Sequence, residues 1–260
     1  MLRTAESIEG YGIQATDGEI GRVREFYFDD VKWGIRYLVV DTGSWFTRNS
    51  VLISPYSITG VDDVDQTIRV SLTLEQVKGS PDIDTHKPVS RQLEGEYSDY
   101  YGYGNYWTGP YLWGVGGYPS YPMPEAGTVP AGHELPEEVA ARAASNPEDV
   151  HLRSTEKVTG YHILGTDDNI GHVQDFIFDD EAWAIRYLVV DTRSWWPGGK
   201  KVLLATQWID RIDWTESSVQ TSLTREQIQS SPEYDDRSQV DRNFEMALHR
   251  HYRREGYWDV

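Results

Sequence analysis

The sequence of 260 residues contains no cysteine. Disulfide bonds, thiolate nucleophiles and cysteine-ligated metal sites are therefore excluded. The sequence also has no apolar run near the 18 or so residues that a membrane-spanning helix requires. The opening segment MLRTAESIEG lacks the charged and apolar regions of a signal peptide. We therefore expect a cytoplasmic protein that does not insert into a membrane.

Basic residues are scarce. The chain has 24 Lys and Arg against 42 Asp and Glu, which gives a formal net charge of -18. This charge repels the phosphates of nucleic acids and of anionic membranes, so we expect no nucleic-acid partner. The hydrophobic content of 38%, with 13% aromatics, is sufficient for globular cores.

Motifs for catalysis and cofactor binding are also missing. The glycine cluster GVGG at 114–117 follows no predicted strand and opens no helix, so it does not resemble a phosphate loop. There is no Gly-x-Ser-x-Gly motif. His249 and His251 are two residues apart on a predicted helix, which is not the spacing of a zinc-binding helix. We expect no enzymatic activity, no cofactor and no metal.

A long internal repeat dominates the sequence. Residues 2–42 align without gaps on residues 152–192, with 24 of the 41 pairs identical, including the octapeptide IRYLVVDT. After a one-residue insertion, residues 51–107 align on 202–258. This length indicates duplication of a whole domain rather than a solenoid of short units. We predict repeat 1 at 1–107, a linker at 108–151 and repeat 2 at 152–260.

Each repeat has the pattern of a small β domain with short helices. Short β-branched and aromatic runs between turn residues predict strands at 20–29, 50–54 and 67–72 in repeat 1, with equivalents in repeat 2. The run YLVV is apolar on both faces, which predicts that the octapeptide lies at the packing centre of each repeat. Thr73 and Thr224, each followed three residues later by Gln, predict helix starts with capping boxes. A second apolar stripe predicts another helix near the end of each repeat.

The linker is rich in Gly, Pro and aromatic residues. A flexible tether does not need so many Tyr and Trp, so we expect this segment to pack against a surface. The alternative is a sticky but disordered loop. Within it, PEEVAARAAS at 136–145 predicts a helix.

The pattern GYxIxxTDxxIGxVxxFxFDDxxWxIRYLVVDT, followed by SLTxEQ and a terminal YW, resembles the PRC-barrel family over nearly all of both repeats. This resemblance implies a mainly β chain with two tandem small PRC-like β-barrels, short accessory helices and an aromatic, Gly/Pro-rich linker. Characterised members of that family bind larger assemblies and are not enzymes. The chain differs from the reaction-centre H subunit in having no membrane helix, and its acidity argues against contact with ribosomal RNA.

Acidic pairs occur at the predicted hairpin turns. Asp29-Asp30 and Asp179-Asp180 fit turns, in which Asp side chains bond to the backbone, and a cation site is the alternative interpretation. Asp41 and Asp191 end the octapeptide strands near Arg36 and Arg186, which favours an ion pair or a backbone cap.

Interface candidates come from three groups of residues. The first is the Tyr-rich end of repeat 1 with its linker, and the second is the set of Trp residues that lack a counterpart in the other repeat, because aromatic residues concentrate at binding hot spots. The third is the basic cluster HRHYRRE, whose alternative role is a solvated helix end. The candidates are Tyr100, Tyr101, Tyr103, Tyr106, Trp113, Tyr118, Trp196, Trp208, Trp214, Arg250, Arg253 and Arg254.

The sequence therefore predicts a non-enzymatic interaction or scaffold protein that docks onto a larger assembly or self-associates, as a ring or a filament. Removal of residues 108–134 is expected to leave both repeats folded. The alternative is a small-ligand or cation sensor that uses a barrel mouth or the groove between the repeats.

Overall fold

The computed structural model describes residues 1–43, 50–81, 89, 91–119, 152–193 and 198–259. The helix predicted at 136–145 and the interface candidate Trp196 lie outside the described residues.

The described residues form fourteen strands in two sheets of seven. Repeat 1 and its flank contribute β1 (Leu2–Thr4), β2 (Gly12–Gln14), β3 (Glu19–Asp29), β4 (Ile35–Asp41), β5 (Ser50–Ile53), β6 (Ile58–Asp62) and β7 (Thr67–Val70). The second half contributes β8 (Leu152–Ser154), β9 (His162–Leu164), β10 (Asn169–Asp179), β11 (Ala184–Asp191), β12 (Lys201–Ala205), β13 (Ile209–Asp213) and β14 (Ser218–Thr221). The mainly β class predicted from the sequence is confirmed.

Five α-helices accompany the strands in the described residues. They are α1 (Leu74–Gly79), α2 (Arg91–Tyr101), α3 (Thr155–Val158), α4 (Arg225–Gln229) and α5 (Arg242–Tyr252). Short 3₁₀ turns occur at Pro55–Ser57, Tyr106–Thr108 and Thr206–Trp208. The predicted capping boxes of α1 and α4 are confirmed, because Thr73 and Thr224 each exchange bonds with the Gln three residues on.

Both sheets have the same strand order. One runs β5-β4-β3-β2-β7-β6 and the other β12-β11-β10-β9-β14-β13. Most neighbours are antiparallel, whereas β2 pairs with β7, and β9 with β14, in parallel. The seventh strand of each sheet comes from elsewhere in the chain: β8 pairs with β3, and β1 pairs with β10. These two three-residue strands were not predicted.

The chain divides into two compact units. The repeat-1 unit comprises Ile8–Ser154 and Glu181–Ala184, and the repeat-2 unit comprises Met1–Ser7, Thr155–Asp180 and Ile185–Val260. Each unit therefore consists mainly of one repeat and includes a short segment from the flank or turn of the other.

The octapeptide strands lie at the packing centre of their units, as predicted. Leu38, Val39 and Val40 of β4 are fully buried. One covering layer is α2, whose Tyr97 packs edge-on against Tyr37 at 5.1 Å between ring centroids. In the repeat-2 unit, Tyr187 of β11 donates a hydrogen bond to Glu245 of α5 at 2.9 Å. A helix therefore covers the octapeptide strand in each unit.

Candidate functional site

A glycine-rich segment after α2 forms a compact loop on the repeat-1 unit. We call residues 109–118 the aromatic loop. The Tyr111 amide donates to the Gly114 carbonyl at 3.1 Å, and the Trp113 amide donates to the Gly116 carbonyl at 2.8 Å. Gly114 has a φ of +78°, and a Cβ at Gly109 would lie 2.0 Å from the Gly114 oxygen. Glycine is therefore required at both turns of this loop.

Trp113 anchors the aromatic loop in the repeat-1 unit. Its side chain is 2% exposed, and its Nε1 donates to the Ala182 carbonyl at 2.7 Å. The Tyr56 ring packs edge-on against the indole, with the centroids 4.9 Å apart. A lysine reinforces this anchor, because Lys32 Nζ donates to the carbonyls of Gly109 and Tyr111 at 2.9 and 2.6 Å. The expectation that this part of the linker packs against a surface is confirmed for the described residues.

The same loop presents apolar side chains to solvent. Tyr111 is 58% exposed, Val115 52% and Tyr118 59%. We call these three residues the loop surface. The loop therefore buries one indole and leaves two tyrosines and a valine exposed on the same ten residues.

A buried ion pair lies beneath the anchor. Arg36 of the octapeptide donates from Nε to Asp29 Oδ2 at 2.7 Å, and its side chain is 1% exposed. Its guanidinium also lies 3.8 Å from the Tyr106 ring centroid and 4.7 Å from that of Trp113. Two aromatic faces and one carboxylate therefore surround this cation.

A second ion pair extends this network onto α2. Arg91 contacts Glu94 at 3.0 Å and donates to the Tyr106 hydroxyl at 2.9 Å. Tyr106 in turn donates to Glu94 Oε1 at 2.5 Å. Burial raises the pKa of Glu94 to about 7, although Arg91 and Tyr106 oppose the shift. Burial, followed by the Glu94 charge, also raises the pKa of Tyr106.

The repeat-2 unit contains the same residues in a more open arrangement. Arg186 contacts Asp179 at 3.3 Å, lies 4.0 Å from the Tyr257 ring centroid and is 23% exposed. Arg242 contacts Glu245 at 3.1 Å. The network is therefore part of the repeated architecture, but in repeat 1 the aromatic loop lies over it.

The Glu94 carboxyl should make stability depend on pH. Its folded pKa of about 7 exceeds the usual 4.5, so its contribution is fully present below pH 4.5 and is lost as the pH rises through 7. We expect the unfolding free energy of the wild type, relative to Glu94→Gln, to fall by roughly 3 kcal/mol between those pH values. Denaturant titrations at both ends of this range measure the difference.

A matched control for this effect is Glu96→Gln, on the exposed face of the same helix. We expect that variant to follow the wild type within about 0.5 kcal/mol at each pH. If the difference in unfolding free energy between the wild type and Glu94→Gln does not change with pH, the protonation of Glu94 near neutrality is contradicted.

Sequence reasoning did not single out Arg91 and Glu94. The spacing Arg-x-x-Glu followed by Tyr-Trp occurs identically at 91–107 and at 242–258. That repeated spacing could have identified the network, because charged residues kept in register with an aromatic pair indicate a shared contact.

Four interface candidates are buried inside their units. Trp113 and Trp208 were expected to face outward because they lack counterparts, and this expectation is wrong: each is 2% exposed. Trp208 packs against His249 and Tyr252 at 4.9 and 4.6 Å between ring centroids. Tyr103 and Tyr106 are likewise buried. These side chains fill the units and do not themselves offer a surface to a partner.

The other described candidates reach solvent to different extents. Tyr118 and Tyr100 are exposed, and the Tyr100 hydroxyl donates to the Gln76 carbonyl at 2.9 Å. Tyr101 and Trp214 are half-buried. Of the basic cluster, Arg250 and Arg253 are exposed at the end of α5, whereas Arg254 donates to Ser222 Oγ at 2.8 Å.

The acidic turn residues bond within the protein. Asp29 Oδ1 accepts the Lys32 amide at 2.6 Å, which fits the predicted turn. Asp30 pairs with Arg153 at 2.9 Å. Asp41 accepts the Gly43 amide at 3.0 Å. Of the two roles predicted for Asp41, the backbone cap is therefore confirmed, whereas the ion pair with Arg36 is not, because Arg36 pairs with Asp29.

The two histidines of α5 differ in their exposure to solvent. His249 is buried and its Tyr187 contact is 3.1 Å, whereas His251 is exposed. Burial lowers the pKa of His249. Within the described ranges, no group of three His, Asp or Glu side chains is arranged to hold a metal ion.

No protein-family model matches this chain, and no curated protein matches it. None of the helices in the described part of the chain has the length and apolarity needed to cross a bilayer.

Proposed function

We propose that the protein is a non-enzymatic interaction module that self-associates through the loop surface. The observation that carries this proposal is the combination of one buried anchor, Trp113, with three exposed apolar side chains on the same ten-residue loop. A loop held in one conformation loses little entropy on binding, which favours its use as a contact. We also propose membership of the PRC-barrel family, supported by the repeated motifs and by the shared strand order of the two sheets.

A second molecule of this protein is the partner that the loop surface suits. Tyr111, Val115 and Tyr118 carry no charge, so two such surfaces can meet around a twofold axis without opposing like charges at the contact. The net charge of -18 opposes association through longer-range repulsion, which salt screens. Association should therefore strengthen as the ionic strength rises. A partner recognised through charge complementarity would show the opposite dependence.

The contact should be weak and reversible. Stable interfaces bury about 1,600 Å² in total, and three side chains from each molecule cover much less. We therefore expect a dimer that becomes populated at protein concentrations of tens to hundreds of micromolar.

Substitution of the loop surface tests this proposal. We expect the triple variant Tyr111→Ser, Val115→Ser, Tyr118→Ser to remain monomeric over a concentration range in which the wild type dimerises, as measured by sedimentation equilibrium. The buried anchor is unchanged, so the circular dichroism spectrum should match that of the wild type.

A matched pair of single variants sharpens the test. Val115→Ser and Val64→Ser both replace an exposed valine of the repeat-1 unit, and Val64 is 93% exposed on the turn between β6 and β7. Val115→Ser should weaken dimerisation several-fold, whereas Val64→Ser should not. Equal effects of the two substitutions would show that general surface hydrophobicity drives the association, and would refute a specific loop contact.

The sensor function suggested by the sequence stays a prediction. A shift in melting temperature on addition of Ca²⁺, Mg²⁺ or a nucleotide would support it, because a ligand that binds the folded state stabilises it by mass action.

A further inference from the structure

The seventh strand of each sheet is borrowed. In the repeat-1 unit, β8 pairs with the last residues of β3, from Tyr27 to Asp29. In the repeat-2 unit, β1 pairs with the last residues of β10, from Ile177 to Asp179. Both β1 and β8 lie at the beginning of a repeat in the sequence, yet each completes the sheet of the unit built mainly from the other repeat.

The two borrowed strands occupy equivalent sites in the same register. Leu2 lies opposite Asp179, and Thr4 lies opposite Ile177. In the other sheet, Leu152 lies opposite Asp29, and Ser154 lies opposite Tyr27. These pairs are equivalent under the alignment of the two repeats. We call the paired ends of β3 and β10 the acceptor sites.

Both acceptor sites form the same ion pair with an arginine of the borrowed strand. Arg3 Nε lies 2.6 Å from Asp180 Oδ2, and Arg153 Nε lies 2.9 Å from Asp30 Oδ2. A backbone bond extends the pairing, because the Ala5 amide donates to the Phe176 carbonyl at 2.8 Å. A carboxylate also bonds to the borrowed segment in each unit: Glu25 accepts the Ser154 hydroxyl, and Asp175 accepts the amide of Glu6, two residues after β1. Each acceptor site therefore pairs with an extended three-residue segment, Leu-Arg-Thr in one unit and Leu-Arg-Ser in the other.

We propose that the acceptor sites also bind the borrowed strands of a second molecule of this protein, which produces a strand-exchanged dimer. A strand from another molecule would make the same hydrogen bonds and the same arginine–aspartate pair as the strand of its own chain. Exchange therefore costs no contacts, and its extent is set by the protein concentration relative to the effective concentration of the tethered strand. The loop surface plays no part in this assembly.

Absence of cysteine from the chain allows a direct test with single cysteines. Thr4→Cys is introduced into one preparation and Ile177→Cys into another. Residues directly opposite in an antiparallel pair are close enough for a disulfide. The two preparations are mixed in denaturant, refolded together at a series of total protein concentrations, and then oxidised with copper–phenanthroline. The highest concentration is about 1 mM, because the effective concentration of a tethered segment lies in this range.

The expected result is a disulfide-linked dimer on a non-reducing gel, whose fraction rises with the refolding concentration to tens of per cent at about 1 mM. Thr4→Cys mixed with Val173→Cys is the matched control, since Val173 is also a buried residue of β10 but lies outside the residues that pair with β1. That mixture should give little dimer at any concentration.

A chain that carries both Thr4→Cys and Ile177→Cys reports the pairing within one molecule. The proposal would be overturned if this chain forms its internal disulfide while the mixed single-cysteine chains give no more dimer than the Val173 control. The proposal would also be overturned if neither the double-cysteine chain nor the mixed single-cysteine chains form a disulfide, because β1 would then not pair with β10 as the structure shows. Adding the triple loop-surface substitution to all chains should leave the exchanged fraction unchanged, which separates this result from the outcome of the loop proposal.

Discussion

Replacement of Arg36 by alanine is expected to destabilise the repeat-1 unit by about 3–5 kcal/mol, the usual cost of removing one partner from a buried ion pair. The loss has two sources. Asp29 would remain buried without its cation, and the rings of Tyr106 and Trp113 would lose the guanidinium that lies against them. The shift of the calorimetric unfolding transition of this unit measures the effect.

The repeat supplies a matched control at the equivalent residue. Arg186 pairs with Asp179 in the same way, but its side chain is 23% exposed and Asp179 is 20% exposed. Water can solvate the Asp179 carboxylate after the arginine is removed, so Arg186→Ala should lower the free energy of unfolding by only about 1 kcal/mol. Equal losses for the two substitutions would contradict the conclusion that burial under the aromatic loop sets the importance of Arg36.

The second large effect is expected for Trp113→Ala. Truncation of a fully buried tryptophan costs about 3–5 kcal/mol, from lost apolar burial and from the cavity that remains. The hydrogen bond to the Ala182 carbonyl is lost as well. In addition, the aromatic loop would lose its anchor, so self-association should weaken even though Tyr111, Val115 and Tyr118 are still present.

Two comparisons distinguish this prediction from a general sensitivity to tryptophan loss. Trp214→Ala removes a half-buried indole and should cost about 1 kcal/mol, and Tyr118→Ala should stay within about 0.5 kcal/mol. A Trp113→Ala variant as stable as these two would show that the indole does not anchor the loop. Because Trp113 lies within 108–134, we now expect deletion of that segment to destabilise the repeat-1 unit, in contrast to the expectation from the sequence.

Local sequence chemistry predicted much of the fold. The long strand β3, the octapeptide strands and the capping boxes of α1 and α4 all follow from patterns confined to a few neighbouring residues. The turn role of Asp29 follows in the same way. The borrowed strands were missed because three residues carry no periodicity, and because Leu2 and Asp179 are too far apart in sequence for any local pattern to pair them.

The candidate surface was predicted only in part. Lack of a counterpart in the other repeat suggested that Trp113 and Trp208 face outward, but each fills space inside its own unit. The repeats use different aromatic residues for this purpose: Tyr56 aligns with Gln207, and Ser57 aligns with Trp208. Compensation of this kind appears only when the side chains are seen packed together. The direction of each side chain in the aromatic loop likewise depends on its glycine turns and on Lys32.

The most direct test of the proposed function is the solution mass of the purified full-length protein, measured by light scattering over a concentration series at low and at high salt. The proposal predicts a mass that rises from the 29.8 kDa of one chain towards twice that value, at lower protein concentration when the salt is high. A mass that stays at one chain at every concentration and at both salt levels would contradict self-association through the aromatic loop.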